Sequence, residues 1–242
     1  GLLLVFLWQV IFIFLQIFAP LPIFLEKKVL PETIAKKDLL PFSFNSILSR
    51  YAKAISNKEF LLLILSVSAN FSAFFIYVLA SPVFLIDHLG FNAQQFGYLF
   101  IPTVTGMMIG SFISKRAAGV IAPAKLLKAG YFWMFFITLS NLLFCAFFNN
   151  NTIFNIGFIA LYNVGMAAVM PVISIAALDC FPKMRGTAAS GQAFMQMMFS
   201  TLVAGLVIPT LWFSTLGLAV GFFTIFCLGF AFVIQTQAWN AD

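Results

Sequence analysis

The sequence predicts an all-α polytopic membrane protein with seven spanning helices, the last six forming one compact unit. Three observations carry that prediction. The first is composition: 62% of the 242 residues are hydrophobic and 8% are charged, against about 25% charged in a soluble domain. Too few charges remain to cover a water-facing surface, and the 33 Phe residues are spread through long apolar stretches rather than gathered in one core. The second is seven runs of the length, about 20 residues, that a helix needs to cross the hydrocarbon. The third is the placement of Lys and Arg, which fall on alternate connections between those runs.

In chain order the runs are Leu2–Leu25, Phe60–Ile86, Phe96–Ser114, Ala129–Phe148, Ile153–Leu178, Thr187–Ile208 and Leu211–Ile234. The long polar stretch Glu26–Glu59 separates the first from the rest. It contains Pro31, Pro41 and a short amphipathic piece around Ile47–Ile55 suited to the membrane surface. The Asn149–Asn150–Asn151 tract is read as a tight polar turn. The chain opens at Gly1 already inside an apolar run, with no basic leader ahead of it. That pattern reads as a fragment lacking an N-terminal part.

Orientation follows from the basic residues. Lys27, Lys28, Lys36, Lys37, Arg50, Lys53 and Lys58 lie in the first connection. Lys115, Arg116, Lys125 and Lys128 lie in the third, and Lys183 and Arg185 in the fifth, which accounts for all 13. The basic connections are therefore assigned to the cytoplasm, the N-terminus to the outside and the C-terminus to the cytoplasm. The net charge of +6 does not indicate nucleic acid, because the basic residues form no face beside exposed aromatics. Cys145, Cys180 and Cys227 sit in or beside apolar runs and read as small apolar fillers, not as a disulfide framework or metal site.

No ionisable residue lies in the middle of a span. The seven acids, Glu26, Glu32, Asp38, Glu59, Asp87, Asp179 and Asp242, occupy loops or span ends, and Asp87–His88 reads as an interfacial turn. His88 is the single histidine, and no nucleophile elbow, zinc-protease motif or phosphate loop is present, so neither an enzyme nor a bound cofactor is expected. The polar stripes carry more information. At 3.6 residues per turn, Ser66, Asn70, Phe74, Tyr77 and Ser81 share a face of the second span. Asn155, Tyr162, Met166 and Met170 share one of the fifth, with Asn163 at its edge, and Gln192, Gln196, Phe199 and Ser200 share one of the sixth. Polar groups face lipid only at a cost, so these faces point inward. Two readings stand side by side: the faces bond neighbouring helices, or they line a cavity for bulky, partly apolar solutes, where Met adapts to varied shapes. In the third span, Thr103, Gly106, Gly110 and Ser114 lie on one side and read as a close helix–helix contact. Pro82, Pro102 and Pro171 mark bends at or near span ends.

Several short segments resemble the major facilitator superfamily, and more narrowly its bicyclomycin and chloramphenicol resistance type of drug:proton antiporter. Leu30-Pro31-Glu32-Thr33 is similar to the loop after that family's sixth helix. Ala80-Ser81-Pro82-Val83-Phe84, through Leu89-Gly90-Phe91 to Gln94-Gln95-Phe96-Gly97, is similar to its join between helices seven and eight. Phe181-Pro182 and Gly186-Thr187-Ala188-Ala189-Ser190 resemble the lead into its helix eleven. The resemblance divides the chain into residues 1–26, equivalent to helix six; 27–59, the central cytoplasmic loop; 60–236, a six-helix C-terminal transmembrane half; and 237–242, a cytoplasmic tail. It implies two such halves rocking around a midplane site, with protons as coupling ion and a small-molecule substrate exported across the inner membrane. It also implies an N-terminal half, which usually holds the proton-coupling acid, as the partner of this one. The first and fourth helices of each half line the cavity in that family, so the resemblance implies the substrate-cavity set Asn70, Phe74, Tyr77, Tyr162, Asn163 and Met166, flanked by Gln192 and Gln196. A metabolite facilitator, a seven-helix receptor or rhodopsin, and a non-functional remnant are the other readings. The last span carries no lysine for a Schiff base, which argues against a rhodopsin.

The charge segregation makes a direct prediction. With the native cysteines removed, a cysteine at Asn150 reacts with an impermeant thiol reagent in intact cells, and one at Ala122 does not. Equal labelling at both positions refutes the orientation.

Overall fold

A computed structural model of the chain describes residues 8–29, 49, 51–52, 55–148 and 152–240. Among these residues every regular element is a helix, as the apolar runs require. The helices are α1 (Trp8–Phe18), α2 (Pro20–Val29), α3 (Lys58–Leu79), α4 (Gly97–Ala117), α5 (Pro123–Phe147), α6 (Thr152–Asp179), α7 (Arg185–Leu202), α8 (Ile208–Leu211), α9 (Thr215–Val233) and α10 (Gln237–Asn240). Among the described residues, six stretches are long and apolar enough to cross a membrane: α3, α4, α5, α6, the run from Pro182 to Leu211, and α9. They match the second to seventh spans expected from the sequence, and the protein is an all-α polytopic membrane protein.

The first expected span behaves differently. In place of one helix over Leu2–Leu25, the described residues form α1 and α2, which meet at Ala19, and the apolar helical part is short, Phe12–Pro22. Pro20 supplies no N–H to continue the ladder of α1 and instead starts α2. Residues 1–7 of that run lie outside the described residues, as do the Asn149–Asn151 turn and most of the Ile47–Ile55 piece. The side chains of Phe12–Pro22 are exposed.

Two other boundaries depart from the apolar pattern because of proline. The run expected over Phe60–Ile86 is regular only to Leu79; past Pro82 it widens into π-type turns over Val83–His88. In the sixth span, turns of the same kind cover Val203–Val207, ahead of Pro209. A proline ring clashes with the carbonyl four residues back and offers no N–H. Ahead of Pro209 the widened turn takes in the crowded Gly205 carbonyl without breaking the helix, while the turns at Val83–His88 lie on the far side of Pro82.

α3 is the hub. It packs on α6, α7 and α9 and reaches α5 through side-chain hydrogen bonds, while α4 packs chiefly on α6, and α5 bridges α6 and α9. Asn57 caps α3 by accepting a hydrogen bond from the Phe60 N–H at 2.9 Å. At the other end of the chain, the residues expected to form a tail fold back. The Gln237 N–H donates to Glu59 at 2.8 Å, and the Trp239 ring lies against Tyr131 and Phe230. The described part of the central loop is tied down by a 2.8 Å hydrogen bond between Tyr51 and Ser190.

The small-residue stripe of the third span has a defined partner. A Cβ on Gly106 would run into the Ala160 carbonyl oxygen, and one on Gly110 into that of Val164. The backbones of α4 and α6 are in direct contact there. Gly130 of α5 and Gly165 of α6 make a second close approach, beside a 2.8 Å hydrogen bond from the Trp133 indole N–H to the Leu161 carbonyl. Gly110→Leu is expected to force α4 and α6 apart at a cost of about 1–3 kcal/mol, lowering the yield of monodisperse protein in detergent. Met108→Leu, on the exposed side of α4, leaves the size-exclusion profile unchanged. Identical profiles for the two variants would remove the packing role.

Candidate functional site

The polar face of α3 is buried and bonded, and the chemistry of each group fixes the direction of the bonds. Asn70 Nδ2 donates to the Tyr131 hydroxyl. The Ser66 hydroxyl donates to the Gly229 carbonyl at 2.9 Å, so its oxygen is left to accept from Tyr131. The result is a chain from α3 to α5, back to α3 and on to α9. Gly229 makes this possible, because a Cβ there would press on Asn70 Oδ1 and Ala69. The Tyr162 hydroxyl of α6 donates to the Asn70 carbonyl at 3.0 Å. Two turns further along α3, Asn141 Nδ2 donates to the Tyr77 hydroxyl at 2.9 Å. Phe222 stacks edge-on against both Tyr77 and Tyr162, with ring centroids at 5.4 and 4.7 Å.

Six of the eight residues expected at a cavity, Asn70, Phe74, Tyr77, Tyr162, Asn163 and Met166, are thus buried inside the six-helix unit. Asn70, Tyr77 and Tyr162 bond neighbouring helices, the first of the two roles open to these faces. Asn163 is fully buried, and neither of its carboxamide atoms has a hydrogen-bond partner among the described residues. Asn155 is also buried, its Oδ1 accepting from the Cys145 thiol at 3.4 Å.

Gln192 and Gln196 sit elsewhere, half-buried on α7. Gln192 Nε2 donates to the Ser174 hydroxyl of α6 at 2.9 Å, and Ser72 of α3 shares a 2.8 Å hydrogen bond with Ser200 of α7. α6 and α7 both pack on α3 and touch each other sparingly. Phe71, Phe75 and Val78, at i, i+4 and i+7, form a half-exposed stripe on α3, with Phe71 and Phe75 stacked at 5.0 Å. Met170 on α6 and Met195 and Phe199 on α7 are half-buried as well. The half-exposed rings of α3 and the half-buried side chains of α6 and α7 are mainly apolar, with Gln192 and Gln196 as their amides.

Sequence reasoning missed Tyr131 and Asn141, the partners that close the α3 network. The signal was present: Leu127, Tyr131, Met134, Thr138, Asn141 and Cys145 recur at alternating steps of four and three, the spacing of one packed helix face. It also missed Phe71 and Phe75, which the sequence places beside Phe74 with nothing to tell the inner ring from the outer ones. Asp87–His88 does form a turn, and the His88 ring is within 2.7 Å of the Trp212 carbonyl, tying the end of the second span to the end of the sixth.

Tyr131→Phe removes the link between Asn70 and Ser66 and leaves the Asn70 N–H buried without a partner. Hydrogen bonds between membrane helices average about 0.6 kcal/mol, and an unpaired buried donor adds its own penalty, about 1–3 kcal/mol. The variant is expected to unfold at lower temperature or denaturant in detergent. Unchanged stability would remove the bracing role of Tyr131.

No family model matches the chain, and no solved structure matches it. Among curated proteins, the chain is 27% identical over 192 residues to a bicyclomycin resistance protein homolog of Haemophilus influenzae, covering 76% of this chain and 46% of that protein. It is 28% identical over 185 residues to the multidrug resistance protein MdtL of Salmonella typhi, covering 75% and 43%. The chloramphenicol resistance protein CraA of Acinetobacter baumannii is 25% identical over 104 residues, covering 43% and 25%. The chain spans less than half the length of these relatives. Its similarity to proteins named for bicyclomycin, chloramphenicol and multidrug resistance agrees with the resemblance carried by its loop and turn motifs.

Proposed function

We propose that this chain is the C-terminal half of an inner-membrane secondary transporter of the major facilitator type, exporting drug-like small molecules in exchange for protons by alternating access. The observation that carries the reading is the seam where α6 and α7, each packed on α3, touch each other sparingly, together with the stacked, half-exposed Phe71 and Phe75 of α3 and the half-buried Gln192 and Gln196 of α7. Such a surface is apolar with a few polar groups, as ligand sites are, and the thioether of Met170 adapts to different shapes. The printed names of the relatives support drug-like substrates, and their lengths support a second half. In this reading the second half closes the seam, and solutes bind between the two. Of the expected cavity set, Gln192 and Gln196 meet the solute directly. Asn70, Tyr77 and Tyr162 hold the wall behind it, and Phe74, Met166 and Asn163 fill the space between. The coupling acid belongs to the other half, since no ionisable group lies at mid-span among the described residues.

The test is efflux by the full-length protein at matched membrane expression. Gln196→Ala and Phe71→Ala are expected to shift resistance by about two- to tenfold for some solutes and little for others. That range corresponds to the loss of a neutral hydrogen bond or a stacking surface worth about 0.5–1.5 kcal/mol. Phe136→Leu, on the exposed side of α5, leaves every profile flat. Asn70→Ala and Tyr162→Ala lower efflux of all solutes together if they act through folding. Wild-type profiles in both Gln196→Ala and Phe71→Ala would sink the seam as the binding surface.

A further inference from the structure

A cavity of ≈ 780 Å³ opens at the basic end of the bundle, away from the α6–α7 seam. It lies between the end of α4, the turn after it, the start of α5 and the later half of α6. Its origin is geometric. Gly106 and Gly110 hold α4 and α6 backbone to backbone; beyond them α4 continues with Ser111, Ser114 and Lys115 and α6 with Pro171, and the space between becomes the cavity. Gly119, at φ +77°, lets the chain reverse, so that Val120 and Ile121, both bonded through their N–H groups to the Ala117 carbonyl, form its rim.

The wall is mainly apolar, with Leu126, Val172 and Ile175 prominent. Its charged member is Lys115. Arg116 is turned away, its guanidinium lying over the Phe112 ring at 5.1 Å. Lys125 and Lys128 stand on the first turns of α5, and no acid occurs between Asp87 and Asp179. Among the described residues, Lys115, Arg116, Lys125 and Lys128 take part in no ion pair. An apolar slot with one unpaired lysine in its wall and further basic residues on the same connection, at the end of a helix bundle that faces a headgroup layer, selects an amphiphile with a negative head. A soluble anion has no use for the slot, and a cationic drug is repelled by the rim. The volume suits a small molecule or a single chain, within the usual range of about 300–1,000 Å³, not a protein element.

We propose that this cavity binds one anionic phospholipid from the leaflet on the basic side, an acyl chain lying against Val172, Ile175 and Leu126 and the phosphate at Lys115. Basic pockets between membrane helices on the cytoplasmic side bind anionic headgroups through the same physics. The bound lipid fills the widening between α4 and α6 and braces the α4–α5 turn.

The experiment is native mass spectrometry of the purified full-length protein in detergent, with phosphatidylglycerol, phosphatidylcholine or glycerol phosphate added at equal concentration. Phosphatidylglycerol is expected to be retained at least fivefold better than phosphatidylcholine. Lys115→Gln reduces that retention about fivefold, the worth of one basic residue beside an anionic headgroup, and leaves phosphatidylcholine unchanged. Ala118→Trp, which fills the cavity, lowers both lipids. Lys183→Gln, on another basic connection, has no effect, and all variants keep the wild-type size-exclusion profile. Three results overturn the proposal: equal retention of the two lipids, equal loss in Lys183→Gln and Lys115→Gln, or displacement of phosphatidylglycerol by glycerol phosphate.

Discussion

Inside a membrane bundle, a polar side chain must find its partner within the protein, and the rest of this structure depends on how α3 meets that requirement. It carries Ser66, Asn70 and Tyr77 through an apolar environment, and each is answered from another helix: Ser66 by α9, Asn70 and Tyr77 by α5. A backbone carbonyl of α3 is in turn answered by Tyr162 of α6. Each bond is worth only about 0.6 kcal/mol, so the network contributes little to total stability. What it does is select one arrangement, because rotating α3 by a turn would strand every member at once. Close backbone contacts at Gly106, Gly110, Gly130 and Gly229 then supply the dispersion energy that polar bonds alone do not.

Much of the fold was legible because the membrane imposes a simple rule on sequence. Runs of about 20 apolar residues and alternating basic connections mark six of the spans to within a few residues. The glycine stripe of the third span also announced a close contact, although nothing in it named α6 as the partner. The failures have physical causes. Apolar composition is blind to proline's effect on the hydrogen-bond ladder, so the widened turns at Val83–His88 and Val203–Val207 were read as plain helix.

The candidate site was legible only as a set of faces. Periodicity states that Asn70 and Tyr77 point inward, and it is silent on whether inward means a neighbouring helix or a cavity. That choice depends on residues distant in the chain: Tyr131 lies 61 positions from Asn70, and Asn141 lies 64 from Tyr77. Asn163 shows the remaining gap. It was read at the edge of the polar face of α6, and its carboxamide is buried without a partner among the described residues, which no pattern of spacing announces.

α7 is attached in another manner from its neighbours. α4 is locked to α6 by glycine contacts that leave no room for adjustment. The described polar fastenings of the sixth span are single hydrogen bonds: Ser200 to Ser72, Gln192 to Ser174, Ser190 to Tyr51, and the Trp212 carbonyl to His88. None involves a buried charge, and each is worth about as much as thermal energy at room temperature. In mechanical terms, the unit is a stiff block with one slat held by latches. Sliding that slat along its axis costs a few such latches in turn, whereas sliding α4 requires backbone atoms to pass through one another. The helix that borders the seam is thus the one joined to α3 and α6 with no close glycine approach of its own among the described residues.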